Sequence, residues 1–147
     1  MLDAIDFQHL LGIGSSADLF GKDSGKIATT SALVYPVMVG PEHRNFSGTK
    51  ELTEIGIFRE MLECLLAPRL LRAPGAMIIP LGKAAEGGVL YLARRGVVES
   101  RRILSDFPHP SGANGHRKRL FAENKAQLRS ALKVWFASSS GRDSETR

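Results

Sequence analysis

The chain has 147 residues, 43% of them hydrophobic, and a formal net charge of +5. These values predict one folded domain and exclude a disordered chain, and no apolar run reaches the roughly 18 residues that a membrane span requires. The single cysteine, Cys64, excludes an internal disulfide and an iron–sulfur cluster and is typical of a reducing cytoplasm.

The first half of the chain predicts a short helix, a strand and a long helix. Residues 3–11 are expected to be helical and to stop at Gly12 and Gly14. β-branched and apolar residues over 27–34 predict a strand that bends outward near Pro36. Over 50–71 the apolar residues recur every three or four positions, which predicts a helix that ends or bends at Pro68. Cys64 lies in this helix and is expected in the core.

The second half adds two strands and two helices. Residues 76–81 (AMIIPL) and 101–104 are predicted to be strands. Residues 83–96 predict a helix weakened by Gly87 and Gly88, and residues 117–136 predict the clearest helix of the chain. The alternation predicts an α/β fold of three layers (α/β/α) around a short parallel sheet. We expect one domain over 1–137 and a disordered tail over 138–147.

The positive charge is concentrated in one segment. Residues 94–129 contain nine Lys or Arg and three acids, a net charge of +6, so the rest of the chain sums to −1. A local basic field attracts polyanions and most often contacts phosphates. A solvated surface that aids solubility is the alternative interpretation.

Sequence patterns for cofactors and metals are missing. The glycine-rich segment 12–26 contains no G-x-x-x-x-G-K-[ST], and a Gly12-x-Gly14 pair after a helix does not indicate a dinucleotide fold. The four histidines are scattered, with no paired cysteines and no H-E-x-x-H spacing. We therefore expect no metal and no cofactor.

The segment DFPHPSGANGHRKRL (residues 106–120) places loop-forming residues between a predicted strand and a basic helix. Open α/β sheets bind ligands at the carboxyl ends of their strands, and a helix N-terminus attracts anions. Pro108 and Pro110 restrict the backbone around His109, whose ring can donate a hydrogen bond to a developing anion. A solvated turn rich in small residues is the alternative.

His109-Pro110-Ser111, after an apolar segment and before a basic helix, resembles the second signature motif of the uracil-DNA glycosylase superfamily. Four further segments occur in the order found in the single-strand-selective, monofunctional members. They are LLGIGSS at 10–16, TTSALVYPVMV at 29–39, the NFSG loop and AMIIPLG at 76–82. The resemblance spans about residues 6–137.

The resemblance implies a uracil-DNA glycosylase-like fold and a role in base-excision repair, in which the enzyme flips a base out of DNA and hydrolyses its N-glycosidic bond. By this likeness His109 is the catalytic residue that stabilises the departing base, and Ser111 contacts the DNA backbone. The loop that fills the vacated space would comprise Gly112, Ala113, Asn114, Gly115 and His116. The phosphate ligands would be Arg117, Lys118 and Arg119. Ser31 stands where many members have the Asn that reads the base.

The chain departs from the superfamily in its first motif. No Gly-x-Asp-Pro or Gly-x-Asn-Pro turn, which positions the attacking water in the superfamily, occurs in the sequence. We therefore expect an N-terminally incomplete domain whose first strand is missing. The expected partner is DNA with uracil or a damaged base, in the cytoplasm (at the nucleoid of a bacterium) or in a eukaryotic nucleus. Three alternatives stay open: a non-catalytic nucleic-acid-binding module, a truncated inactive or rearranged and catalytically weak relative, and an α/β enzyme for a phosphorylated small molecule.

Overall fold

A computed structural model describes residues 1–42, 44–46, 51–112 and 114–140. The helices are α1 (Phe7–Leu11), α2 (Glu51–Glu54), α3 (Gly56–Met61), α4 (Ala67–Leu71), α5 (Lys83–Arg94) and α6 (Arg117–Ser140). Shorter 3-10 turns occur at Asp3–Ile5, Ser16–Phe20, Ser24–Lys26 and Ser100–Arg102, and a π-helical turn at Leu62–Leu66. Two short strands, β1 (Met38–Val39) and β2 (Arg44–Asn45), pair antiparallel.

The chain divides into two compact units. The first comprises Met1–Thr29 with Asp106–Arg147, and the second comprises Thr30–Ser105. The expectation of one domain over 1–137 stays a prediction that folding experiments can test.

The predicted α/β fold, with its three layers, is wrong. In the part of the chain that the structure describes, no parallel sheet is formed, and residues 27–34 are not a strand. One isolated parallel bridge joins the second and third predicted strands, at Ile78 and Ile103. There the Ile78 N–H donates to the Arg102 carbonyl at 2.7 Å, and the Leu104 N–H donates to the Ile78 carbonyl at 2.9 Å.

Arg102 explains why this pairing stops after one bridge. Its side chain is buried, and its guanidinium donates to the carbonyls of Ala76 (2.9 Å), Ala73 (2.7 Å) and Leu70 (3.3 Å). These bonds satisfy the carbonyls on the approach to Ile78, and the 3-10 turn at 100–102 curls the facing chain. The segment that was predicted to be a strand is therefore held by a side chain.

The predicted helix over 50–71 is confirmed in outline but is interrupted. Ile55 has an extended backbone between α2 and α3, and the π-helical turn precedes α4. Pro68 does not end the helix, since α4 continues to Leu71. Proline lacks an N–H, and the wider π turn changes the hydrogen-bond register just before it.

The core of the second unit contains Leu62, Leu66, Ala67, Val89, Leu92 and Val98. Cys64 is exposed, so its expected place in the core is wrong. It lies two residues from both Leu62 and Leu66, which puts it on the opposite face of the helix. In α5, a Cβ at Gly88 would come within 2.9 Å of Leu62 Cδ2. The glycine that was expected to weaken α5 thus permits close packing.

The first unit joins α1 to α6. As predicted, the first helix ends at Gly12, which has a φ of 65° and donates its N–H to carbonyls of α1. The rings of Phe7 and Phe136 meet edge to face, with centroids 6.4 Å apart. The predicted helix over 117–136 is confirmed and continues to Ser140, while residues 141–147 lie outside those described. None of the described helices is both long and apolar enough to span a bilayer.

Candidate functional site

Between Phe107 and α6, hydrogen bonds connect the described residues 108–112 to 114–117, which are here called the His109 turn. Asn114 bridges it: its Nδ2 donates to the His109 carbonyl at 3.2 Å, and its Oδ1 accepts the His116 N–H at 3.2 Å. The Asn114 N–H donates to the Ser111 carbonyl at 3.1 Å. One asparagine therefore connects both ends of the turn.

The imidazole of His109 is exposed and has a defined tautomer. Its Nδ1 accepts a hydrogen bond from the backbone N–H of Ser111 at 3.1 Å. A ring nitrogen that accepts carries no proton, so in the neutral ring the proton is on Nε2. Because Nε2 is the nitrogen farther from the backbone, His109 presents a hydrogen-bond donor away from the turn.

The Arg117 side chain donates hydrogen bonds to the backbone of the turn. Its Nη1 donates to the carbonyls of Gly112 (3.1 Å), Ser111 (3.4 Å) and Asn114 (3.4 Å). The sequence predicts that Arg117 holds a phosphate, yet this guanidinium nitrogen is directed at three backbone oxygens. Arg119 forms an ion pair with Glu123 at 3.0 Å, and Lys118 is exposed.

Contacts with α6 anchor the start of the turn. The rings of Phe107 and Phe121 lie edge to face at 6.0 Å, and Asn124 Nδ2 donates to the Asp106 carbonyl at 3.0 Å. Asp106 adopts a left-handed backbone with a φ of 64°, and Pro108 is buried. The sequence interpretation missed Phe121 and Asn124, because no local motif indicates which helix residues face a loop.

The structure brings together most of the residues predicted for the site. His109, Ser111, Gly112 and 114–119 lie in one continuous stretch of the first unit, and Ala113 is outside the described residues. Ser31 is exposed and belongs to the second unit.

The basic segment 94–129 is divided between the two units. Arg94, Arg95, Arg101 and Arg102 belong to the second unit, and Arg102 is buried. The buried guanidinium is therefore not part of a basic surface.

In the described ranges, no group of three or more His, Cys, Asp or Glu side chains is arranged to hold a metal ion.

By fold and site, the chain is a mainly helical protein that presents a histidine turn beside a basic helix. No protein-family model and no solved structure matches it. It is 37% identical over 139 residues to a protein of Bacillus subtilis (strain 168) described as "Uncharacterized protein YoxB". The match covers 93% of this chain and 54% of YoxB, so the chain spans about half the length of that curated relative. The resemblance to uracil-DNA glycosylases stays a hypothesis.

Proposed function

We propose that this chain acts on DNA in base excision, with the His109 turn placed against a nucleotide that has left the stack. The observation that carries the proposal is the hydrogen bond from the Ser111 N–H to His109 Nδ1. It leaves Nε2–H as a donor for the oxygen of a departing base, and donors positioned at developing anions give large rate effects. A role in the cytoplasm is part of this proposal.

The proposed step is a heterolytic one. The N-glycosidic bond breaks, its electron pair leaves with the base, and the sugar becomes an oxocarbenium-like cation that water then attacks. His109 Nε2–H donates to the base oxygen as negative charge builds there. We assign water activation to no residue of this chain, because the sequence has no Gly-x-Asp-Pro or Gly-x-Asn-Pro motif.

The test is release of uracil from a single-stranded oligonucleotide with one uracil, using the full chain. His109→Ala should lower turnover by about 10²–10³-fold, the range for removal of one oxyanion donor, while DNA affinity changes little. His9→Ala is the matched control, because His9 is also an exposed histidine of the first unit and lies in α1, outside the His109 turn. Equal turnover in the parent and His109→Ala proteins would refute the catalytic role.

A non-catalytic nucleic-acid-binding module is the second candidate. Two observations favour it: the described residues contain no parallel sheet, and the water-positioning motif is missing from the sequence. In that case the chain binds DNA with a marked salt dependence and releases no base. The same oligonucleotide assay separates the two candidates, since binding without base release supports the module.

A further inference from the structure

Four cations lie along one face of α6. Lys118, Lys125, Arg129 and Lys133 are all exposed, and their spacings of 7, 4 and 4 residues keep them within about 80° of arc on a helix. At 1.5 Å per residue the row is about 22 Å long. We call these four residues the α6 cation row.

Small side chains run beside the cation row. An open depression over α6 is lined, among the described residues, by Ala122, Lys125, Ala126, Arg129, Ser130 and Lys133. The small residues Ala122, Ala126 and Ser130 are spaced four apart and therefore follow the same helix surface. A polyanion can approach the helix closely along this strip while the cations reach its charges.

Most of the charge in the row is unneutralised. Arg129 forms an ion pair with Asp6 of the first unit, and Arg119, which pairs with Glu123, lies outside the row. For Lys118, Lys125 and Lys133, the described part of the chain supplies no carboxylate at ion-pair distance. Among the described residues, the four cations of the row therefore have one ion-pair partner, Asp6.

Two apolar side chains of α6 are already packed in the first unit. Leu128 and Leu132 are 1% and 0% exposed, so neither is available to insert into a bilayer. Binding of a basic helix to a membrane depends on an apolar face. A row of exposed cations beside small side chains instead fits the phosphates of a nucleic acid, which are bound largely by Lys and Arg.

We infer that the α6 cation row binds successive phosphates of a nucleic-acid backbone without reading its sequence. This inference deepens the proposed function, on which it rests, by naming where the backbone lies. The row extends from the His109 turn, since Lys118 is the second residue of α6. It adds phosphate contacts next to Arg117, whose Nη1 is bonded to three carbonyls.

The test compares the double variant Lys125→Gln/Lys133→Gln with Arg72→Gln/Arg94→Gln. Both remove two exposed positive charges, but the control charges belong to the second unit. Binding of a fluorescent oligonucleotide is followed by anisotropy from about 50 to 200 mM salt. The magnitude of the slope of log K against log salt should decrease by about 2 in the first variant, about one for each cation removed. It should not change in the control.

Three outcomes would overturn the inference: an unchanged slope in the Lys125→Gln/Lys133→Gln protein, equal losses in both variants, or binding to phosphatidylserine vesicles with no binding to DNA. The experiment is independent of catalysis. A reduced slope without any base release upholds the cation row and removes the glycosylase proposal. Base release that depends on His109, with unchanged salt-dependence slopes, upholds the glycosylase proposal and removes the cation row.

Discussion

Asp3 connects the N-terminus to the loop that follows α1. Its carboxylate accepts the Ser15 hydroxyl and the Ser16 N–H, both at 2.7 Å. The Ser15 hydrogen bond, followed by those from Ser16, lowers the pKa of Asp3 below its ordinary value. Because the folded-state pKa is depressed, its contribution to stability is fully present above the unfolded pKa and is lost as the pH falls through the folded pKa.

We predict that Ser15→Ala raises the pKa of Asp3 toward its ordinary value, as measured by NMR titration of the carboxyl carbon. Ser24→Ala, in a later 3-10 turn, is the control and should leave the pKa of Asp3 unchanged. In urea unfolding, Asp3→Asn should be less stable than the parent at neutral pH, and the difference should disappear in acid. A difference in stability that is as large in acid as at neutral pH would contradict this assignment.

At single residues, the sequence interpretation located the site but not its internal bonds. The H-P-S tripeptide and its neighbours pointed to His109, Ser111 and the residues after them, and these do lie together. It did not show that Asn114 bridges His109 and His116 or that Arg117 donates to the turn. Such bonds depend on backbone directions that residue types and spacings do not encode.

At the scale of secondary-structure elements, hydrogen bonds from the Arg102 side chain connect the end of α4 to the segment before Ile78. Burial lowers the pKa of its guanidinium, and Glu99 acts in the opposite sense. Its Nε and Nη2 donate to three carbonyls that no single ammonium group can reach in the same geometry.

We therefore predict that Arg102→Lys lowers the free energy of unfolding by about 1–3 kcal/mol, because buried carbonyls lose their donors. Urea unfolding followed by far-UV circular dichroism measures the change. Arg101→Lys is the matched control: Arg101 is exposed and paired with Glu99, and should change stability by less than about 0.5 kcal/mol. Equal losses in the two proteins would show that the carbonyl bonds contribute nothing.

The elements also show which sequence signals are reliable. Helical periodicity predicted the helical regions over 50–71 and 117–136, because it depends on one helix burying one face. Short apolar segments did not predict strands correctly. A strand requires neighbouring strands to pair with, and an apolar segment does not specify them. Within Ala76–Leu81, Ile78 forms a single β-bridge to Ile103, while the Arg102 side chain donates to the Ala76 carbonyl. Gly88 shows the same limit, since its packing against Leu62 follows from tertiary contact.

At the scale of the whole molecule, the second unit has a core of its own. The six buried residues of that core, from Leu62 to Val98, all lie within Thr30–Ser105. A continuous segment with an internal core meets the basic requirement for independent folding, although its small size makes stability marginal.

We predict that a fragment of residues 30–105 is helical by circular dichroism and unfolds cooperatively in urea. Leu92→Ala should abolish its folding, because Leu92 is 0% exposed and such substitutions cost about 2–5 kcal/mol. Leu71→Ala is the control, since that side chain is 54% exposed. A fragment without a cooperative transition would show that the second unit does not fold independently.

The hydrogen bonds described within the His109 turn begin and end within nine consecutive residues. His109, Ser111, Asn114, His116 and Arg117 supply the donors and acceptors. Its shape is thus inherited as one short piece of sequence. Substitutions elsewhere can accumulate over evolutionary time while these bonds persist, provided that α6 keeps its contacts with Phe107 and Asp106. Grafted between a buried proline and a new helix, the segment should carry its histidine geometry with it.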